Sequence, residues 1–336
     1  MGWVHRRTTR AASHDAREIA ELAERVTRLN PRLRFVSHYQ RQLQPALEHA
    51  LDYVRELVRC IPAPHQATAH TWGSDACIHA FFGTPRDVAP TLSRSPELRE
   101  FFDRSPQTQI AHAVLGMAMT RRTTLGVALE GEVMRSDVPQ TNICFSDHKV
   151  RIISDTDAAL RAEIVRRIFD QLALEGLARF AAGKSRRDVL DREQTLLVAR
   201  LRLLERQGMG MRSVVGGDGD ASPAEAARLR EQIAGNEHEL SQLAVSTGVL
   251  ERQLACLAET LMDAHTSFTI DHDNLRLSAT NVLLAPDNPA PACELELLTA
   301  HVPGDPPLVR TFSLVTIARA DMLSALALLD EAERLL

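Results

Sequence analysis

The segment that decides the fold is LREQIAGNEHELSQLAVSTGVLERQLACLAETL, residues 229–261. Apolar residues, with two polar exceptions, recur in it at spacings that alternate between four and three residues. Such a repeat over more than four heptads predicts a long helix with one continuous side-chain seam. The predicted interaction seam consists of Leu229, Ile233, Asn236, Leu240, Leu243, Thr247, Leu250, Leu254, Leu257 and Leu261.

A second helical pattern precedes this one, over residues 156–207, and includes leucines at heptad positions: Leu190, Leu197, Leu201 and Leu204. The linking residues 208–222 contain five glycines, which do not continue a helix. Ser222 and Glu225 then form the capping box of a new helix. We therefore expect residues 156–265 to form an antiparallel helical hairpin with its tip near 208–222, and an intermolecular coiled coil is the alternative. Gly183 and Gly248 lie at similar distances from the tip, which predicts a bend there.

Short β-compatible runs flank this helical region on both sides, over residues 109–155 and 266–336. In the second stretch they are separated by the turn sequences PDNPAP (286–291) and PGDPP (303–307). The last 17 residues, 320–336, have a helical pattern. The two stretches predict an antiparallel β domain with a C-terminal helix.

The N-terminal residues 1–108 contain two amphipathic helical patterns and then a turn-rich stretch with many prolines. The predicted fold class is therefore α+β. It has an N-terminal helical segment, an antiparallel β domain from two separated segments, and an inserted helical hairpin between them. Whether the two β segments share one sheet is left open by the sequence.

Composition narrows the class of protein. The chain has 336 residues and a formal net charge of −5, which argues against general binding of nucleic acid. The N-terminal residues lack the apolar stretch of a secretory signal, and no apolar run is long enough to span a bilayer. Five scattered cysteines form no disulfide framework. We expect a cytoplasmic protein without a bound cofactor.

One cluster of thiol and imidazole side chains is the candidate metal site. It comprises Cys60, His65, His70, Cys77 and His79 in the sequence CIPAPHQATAHTWGSDACIH. Such ligands hold Zn²⁺ in tetrahedral sites. The spacing matches no standard zinc motif, because it contains neither a Cys-x-x-Cys pair nor two histidines one helical turn apart.

Two Asp-His pairs are the other candidates for chemistry, Asp147-His148 and Asp271-His272. Neighbouring residues seldom act together as in a catalytic triad, whose members come from distant positions. Asp also tolerates the left-handed backbone of tight turns. The sequence therefore predicts two related hairpin corners, which place their apolar-Arg-apolar runs close together.

The strong heptad signal and the weak catalytic signals favour a non-enzymatic interaction or scaffold protein. It would use the helical hairpin to dock a protein partner or to form a homo-oligomer. A metal-dependent enzyme centred on residues 60–79 is one alternative. A regulator that senses a small ligand in the β domain is another.

Overall fold

The structure is a computed structural model. It describes residues 16–130, 133–182, 186–205, 223–241, 247–304, 306–324 and 326–328.

The N-terminal helices are α1 (Ala16–Thr27) and α2 (Tyr39–Cys60), joined by a 3₁₀ turn at Pro31–Phe35. Three short helices follow, α3 (Ala76–Phe81), α4 (Pro85–Ser93) and α5 (Pro96–Arg104). α3 and α5 begin at side-chain caps from Asp75 and Ser95, and at the start of α4 the Asp87 carboxylate accepts the amide of Thr84 at 2.7 Å.

Six strands form one sheet. They are β1 (His65–Gln66), β2 (Ile110–Glu130), β3 (Val133–Ser154), β4 (Thr269–Leu277), β5 (Cys293–Val302) and β6 (Leu308–Ala318). The order is β3-β2-β6-β5-β4 with antiparallel neighbours, and β1 adds a short parallel pairing to β6. The mixed helix and strand class is confirmed. The two β segments share this sheet, because β2 pairs with β6.

The sheet is covered by helices on both faces. Successive side chains of a strand point to opposite faces. Ala113 and Leu115 of β2 therefore belong to the apolar cluster that includes side chains of α3, α4 and α5. Val114, between them, belongs to the larger cluster formed with the long helices. The sheet is thus the middle layer of the described part of the molecule.

The larger cluster contains residues of α1, α2 and the region after β3. The helices of that region are α6 (Asp157–Ala181), α7 (Arg186–Glu205), α8 (Pro223–Ser241), α9 (Thr247–Met262) and α10 (Ala264–Ser267). α9 packs against α6 and α2, whereas α8 packs against α7. Each predicted long arm therefore consists of two helices in the structure: α6 and α7 form the first arm, and α8 and α9 form the second. The continuous hairpin is not confirmed.

The glycines of the predicted arms have different positions. Gly183 and the predicted tip lie outside the described residues, and Gly248 lies in the first turn of α9. Gly176 lies inside α6. A Cβ added there would lie 3.1 Å from the Cα of Leu257. Gly176 therefore permits close approach of α6 and α9 without ending the helix.

Two local predictions are wrong. Both Asp-His pairs lie inside strands, Asp147-His148 in β3 and Asp271-His272 in β4, and these strands stand at opposite ends of the sheet order. The reason is that β3 accommodates its left-handed residue in a bulge and continues, while β4 pairs with β5 in unbroken register. The C-terminal helix does not begin at residue 320: residues 319–321 form a 3₁₀ turn, 322–324 are not helical and 326–328 are helical, while 329–336 lie outside the described residues.

None of the helices in the described part of the chain combines the length and apolar character that a membrane crossing needs.

Candidate functional site

The first candidate site is a two-stranded ribbon formed by the distal parts of β2 and β3. The two strands pair as far as Glu130 and Val133, but β6 pairs with β2 only up to Met117. Beyond that point residues 120–125 of β2 are all exposed, and so are residues 134, 136, 137 and 139 of β3. Leu125 and Met134 are 69% and 74% exposed. This part, residues 120–130 and 133–140, is called the ribbon below.

The base of the ribbon is fixed to the rest of the sheet by the segment 278–284. The amide of Ile143 donates to the carbonyl of Asn281 at 2.9 Å, and the amide of Leu283 donates to Thr141 at 2.8 Å. Leu283 also forms a bridge with Leu277 at the end of β4. The outer edge of β3 is therefore occupied at its base.

Bulges interrupt the pairing of β2 and β3 at three places. Asp137, Asp147 and Ile152 lie at these places and have positive φ angles of 66°, 51° and 43°. Asp147 is held by an ion pair with Arg310, and the ammonium of Lys149 lies 3.6 Å from its carboxylate. Bulges increase strand twist and re-aim the residues that follow, so the ribbon follows a course set by these bulges.

The first three residues of the predicted interaction seam, Leu229, Ile233 and Asn236, lie on α8, which packs against α7. Leu229 is 9% exposed, and Ile233 and Asn236 are partly buried. Residues 230–232, 234 and 235 of α8 are exposed. Leu243 and the side chains of Leu240 and Thr247 lie outside what the structure describes. Among the side chains described for α8, residues 226–236, a narrow stripe is packed and the others are exposed to solvent.

The last four residues of the seam belong to the interior of the protein. Leu250, Leu254, Leu257 and Leu261 of α9 are at most 6% exposed and belong to the main apolar cluster. Nearby, the Asn30 amide donates to Gln253 at 3.2 Å, and Gln253 in turn donates to Thr195 of α7 at 3.4 Å. These four leucines are covered within the chain itself and do not form a free docking surface.

The second candidate site is a cluster of three potential metal ligands: His65, Asp75 and Cys77. One ligand atom from each residue lies within 4.8 Å of the other two. Nδ1 of His65 is 2.7 Å from Oδ2 of Asp75. In the described residues this is the one such group, and it includes two of the five predicted ligands. Cys77 is buried, and the imidazole and carboxylate are 27% and 24% exposed.

Local structure brings the three residues together. β1 places His65 beside Val315 of β6, and α3 begins at Asp75. Oδ1 of Asp75 accepts the amides of Cys77 and Ile78 at 2.9 and 3.0 Å, as an N-cap does. These two bonds fix the carboxylate and leave Oδ2 directed at His65.

The charge states within the cluster are coupled. The hydrogen bond to Asp75, supported by one with Cys77, raises the pKa of His65 to about 10. Burial raises the pKa of Asp75, but the bond from His65 and the amides of Ile78 and Cys77 outweigh it, so the pKa is lowered overall. Without a metal ion, His65 and Asp75 therefore form an imidazolium–carboxylate pair at neutral pH.

The other three predicted ligands make different contacts. The Cys60 thiol is exposed and lies 3.7 Å from Oε1 of Glu56. His79 contacts the carbonyl of Ala279 at 3.0 Å through Nε2, and its ring lies 4.1 Å from that of Trp72. His70 is exposed and precedes a 3₁₀ turn.

His148 contributes to packing between α3 and β3. Its Nε2 lies 2.8 Å from the carbonyl of Phe81 and its ring stacks on Phe82. Burial lowers the pKa of His148, and the nearby Arg310 acts in the same direction. The side chain is therefore a neutral hydrogen-bond donor that ties α3 to β3.

The sequence did not predict two features of the candidate sites, the ligand Asp75 and the continuous ribbon. Asp75 is a helix-start residue directly before the apolar stretch of α3, and this capping signal marks it as ordered beside Cys77. The ribbon was divided into short strands with a break at residues 135–140, which include Pro139. In the structure Pro139 lies opposite Leu125 within the paired strands.

Comparison with known proteins gives no relative: no family model, no curated protein and no solved structure matches this chain.

Proposed function

We propose that this protein is a non-enzymatic interaction protein that self-associates through the ribbon. The observation that carries the proposal is the exposure of residues 120–125 on β2 without a third strand beside them in the described part of the chain. An isolated two-stranded ribbon is marginally stable in water. A second copy of the chain, added along one edge, would supply the missing hydrogen bonds.

The chemistry of the two edges favours β2 as the contact. Pro139 lacks an amide hydrogen and lies on β3, whose edge is also occupied at 141–143 by the segment 278–284. The corresponding stretch of β2 has neither feature. β2 therefore offers the more complete row of donors and acceptors.

Self-pairing of β2 also avoids repulsion between like charges. In an antiparallel pair of two copies centred on Thr123, Arg121 of one copy faces Leu125 of the other, and Arg122 faces Thr124. Two-fold interfaces of this kind are the commonest in homo-oligomers. The pairing would also cover Leu125, which is one of the large exposed apolar side chains.

The test compares the mass in solution of the full chain with that of a ribbon-shortened variant. In this variant residues 125–139 are replaced by Asn-Gly, a two-residue hairpin turn that joins the paired residues Thr124 and Gln140. The unaltered chain is expected to be a dimer or larger by light scattering, and the shortened variant a monomer that keeps the helical circular dichroism signal of the parent.

Leu125→Lys provides a finer test, and Phe35→Lys is its matched control. Phe35 is 78% exposed and lies at the end of the 3₁₀ turn after α1, away from the ribbon. We expect Leu125→Lys to lower the association constant at least tenfold and Phe35→Lys to leave it unchanged. A monomeric unaltered chain, or a shortened variant with the mass of the parent, would overturn the proposal.

A further inference from the structure

We infer that His65, Asp75 and Cys77 form a binding site for a zinc ion, which the assembly function proposed above does not require. The three side chains supply one nitrogen, one oxygen and one sulfur ligand, all within 4.8 Å of one another. This is the donor set that Zn²⁺ accepts in tetrahedral sites, and it leaves a fourth position for water.

The positions of the three ligand atoms fit a metal site better than a catalytic triad. In a triad the acid and the nucleophile contact opposite nitrogens of the imidazole ring, so they are held apart by the ring. Here one imidazole nitrogen, one carboxylate oxygen and the sulfur all lie within 4.8 Å of one another, so the carboxylate and the thiol are not held apart by the ring. The three groups therefore surround a common point, as ligands of one ion do.

The ligands are held in place by contacts that metal binding would keep. Oδ1 of Asp75 is engaged by the amides of Cys77 and Ile78, so Oδ2 is the oxygen available to the ion. Fixing a ligating carboxylate in this way is a common feature of metal sites. Cys77 is also the one cysteine of five that is buried, and it faces an imidazole and a carboxylate.

Binding would replace a proton by the ion. His65 and Asp75 share a hydrogen between Nδ1 and Oδ2 at 2.7 Å, and ligands of one tetrahedral zinc ion stand further apart, roughly 3.4 Å for bonds of about 2.1 Å. The imidazole must therefore lose its Nδ1 proton and move by less than about 1 Å. Zinc binding should consequently release protons to the solvent.

The experiment uses the full chain, stripped of metal with a chelator and kept under a non-thiol reductant. Co²⁺ is titrated as a spectroscopic substitute, and Zn²⁺ is measured by calorimetry and by elemental analysis of the untreated protein. We expect one ion per chain, thiolate-to-cobalt charge-transfer absorption, and an increase in the melting temperature with Zn²⁺.

Two variants test the ligands, and a third serves as the control. Cys77→Ser should abolish the charge-transfer band and weaken zinc binding at least a hundredfold. Asp75→Asn keeps an amide oxygen to cap α3, so it should stay folded and bind at least tenfold more weakly. Cys60→Ser is the matched control, because its thiol is exposed and faces Glu56.

The inference is overturned if the folded, reduced chain binds less than 0.1 equivalent of Co²⁺ and Zn²⁺ at ion concentrations up to about 100 μM. Structural zinc sites bind their ion at far lower concentrations than this. It is equally overturned if Cys77→Ser retains the charge-transfer band or if Cys60→Ser abolishes it. The mass of the chain in solution does not enter this test, so its result is independent of the assembly experiment.

Discussion

The buried ion pair between α1 and α6 offers a quantitative test of the fold. Arg25 donates to both carboxylate oxygens of Asp170, Nε to Oδ1 at 2.8 Å and Nη2 to Oδ2 at 2.7 Å. The side chains are 14% and 1% exposed. Replacing Arg25 by Met leaves a buried carboxylate without its partner, which should lower the free energy of unfolding by about 3–5 kcal/mol. Arg17→Met, in the exposed pair with Glu21 on the same helix, should cost only about 0.5 kcal/mol.

The cost of Arg25→Met should also depend on pH. Burial already raises the pKa of Asp170, against the lowering effect of Arg25. In the variant that lowering effect is lost, so the folded state prefers the protonated carboxyl. The destabilisation is therefore full above the folded-state pKa of Asp170 and shrinks as pH falls toward the ordinary value of 3.8.

Urea unfolding at pH 7 and pH 5 measures both effects. The double variant Arg25→Met with Asp170→Leu should recover most of the lost free energy, because two apolar side chains replace the pair and no charge stays buried. A single variant that loses less than about 1 kcal/mol would refute this account of how the two helices are held together. So would a double variant less stable than Arg25→Met.

Three further predictions concern other contacts. Gly176→Val places side-chain atoms against the backbone of Leu257 and should cost about 1–3 kcal/mol in urea unfolding, whereas Gly235→Val meets open space and serves as its control. Acidification below about pH 6.5 should destabilise the folded state, because burial lowers the pKa of His148. The variant His148→Gln keeps a hydrogen-bond donor for the carbonyl of Phe81, so its melting temperature should fall less between pH 7 and pH 5 than that of the unaltered chain. An equal fall in both proteins would contradict this prediction. Arg161 donates to the carbonyls of Val58, Ile61 and Pro62, so Arg161→Lys should lower unfolding free energy by about 1–3 kcal/mol, and an unchanged value would show that these bonds contribute nothing.

The spacing of apolar residues predicted the helices better than it predicted the surfaces against which they pack. The repeat over residues 229–261 correctly places Leu254 and Leu257 on the apolar face of a helix, and these side chains are buried. Spacing alone does not say which surface covers such a face. Leu229 packs near α7, while Leu257 packs beside Gly176 of α6, and this division arises from the three-dimensional course of the chain.

The candidate metal site shows the same limit. His65 and Cys77 were predicted as ligands from their chemistry, but the sequence also suggested Cys60, His70 and His79. The selection among them is made by the pairing of His65 with Val315, which is far along the chain, and by the cap at the start of α3. Neither depends on a regular spacing, so no ligand motif could have identified the set.

The two proposals rest on parts of the molecule that are joined yet can be altered separately. After the cluster, α3 ends at Ala80 and Phe81, whose carbonyls accept hydrogen bonds from Asn281 and His148. Asn281 in turn accepts the amide of Ile143 at the base of the ribbon. The shortened variant keeps this whole chain of contacts, since its deletion stops at residue 139 and the contacts with the segment 278–284 begin at Thr141. It should therefore lose self-association and keep zinc binding. If shortening the ribbon also removed the zinc site, the base of the ribbon would have to depend on its tip, and the anchoring role of residues 281–283 would be wrong.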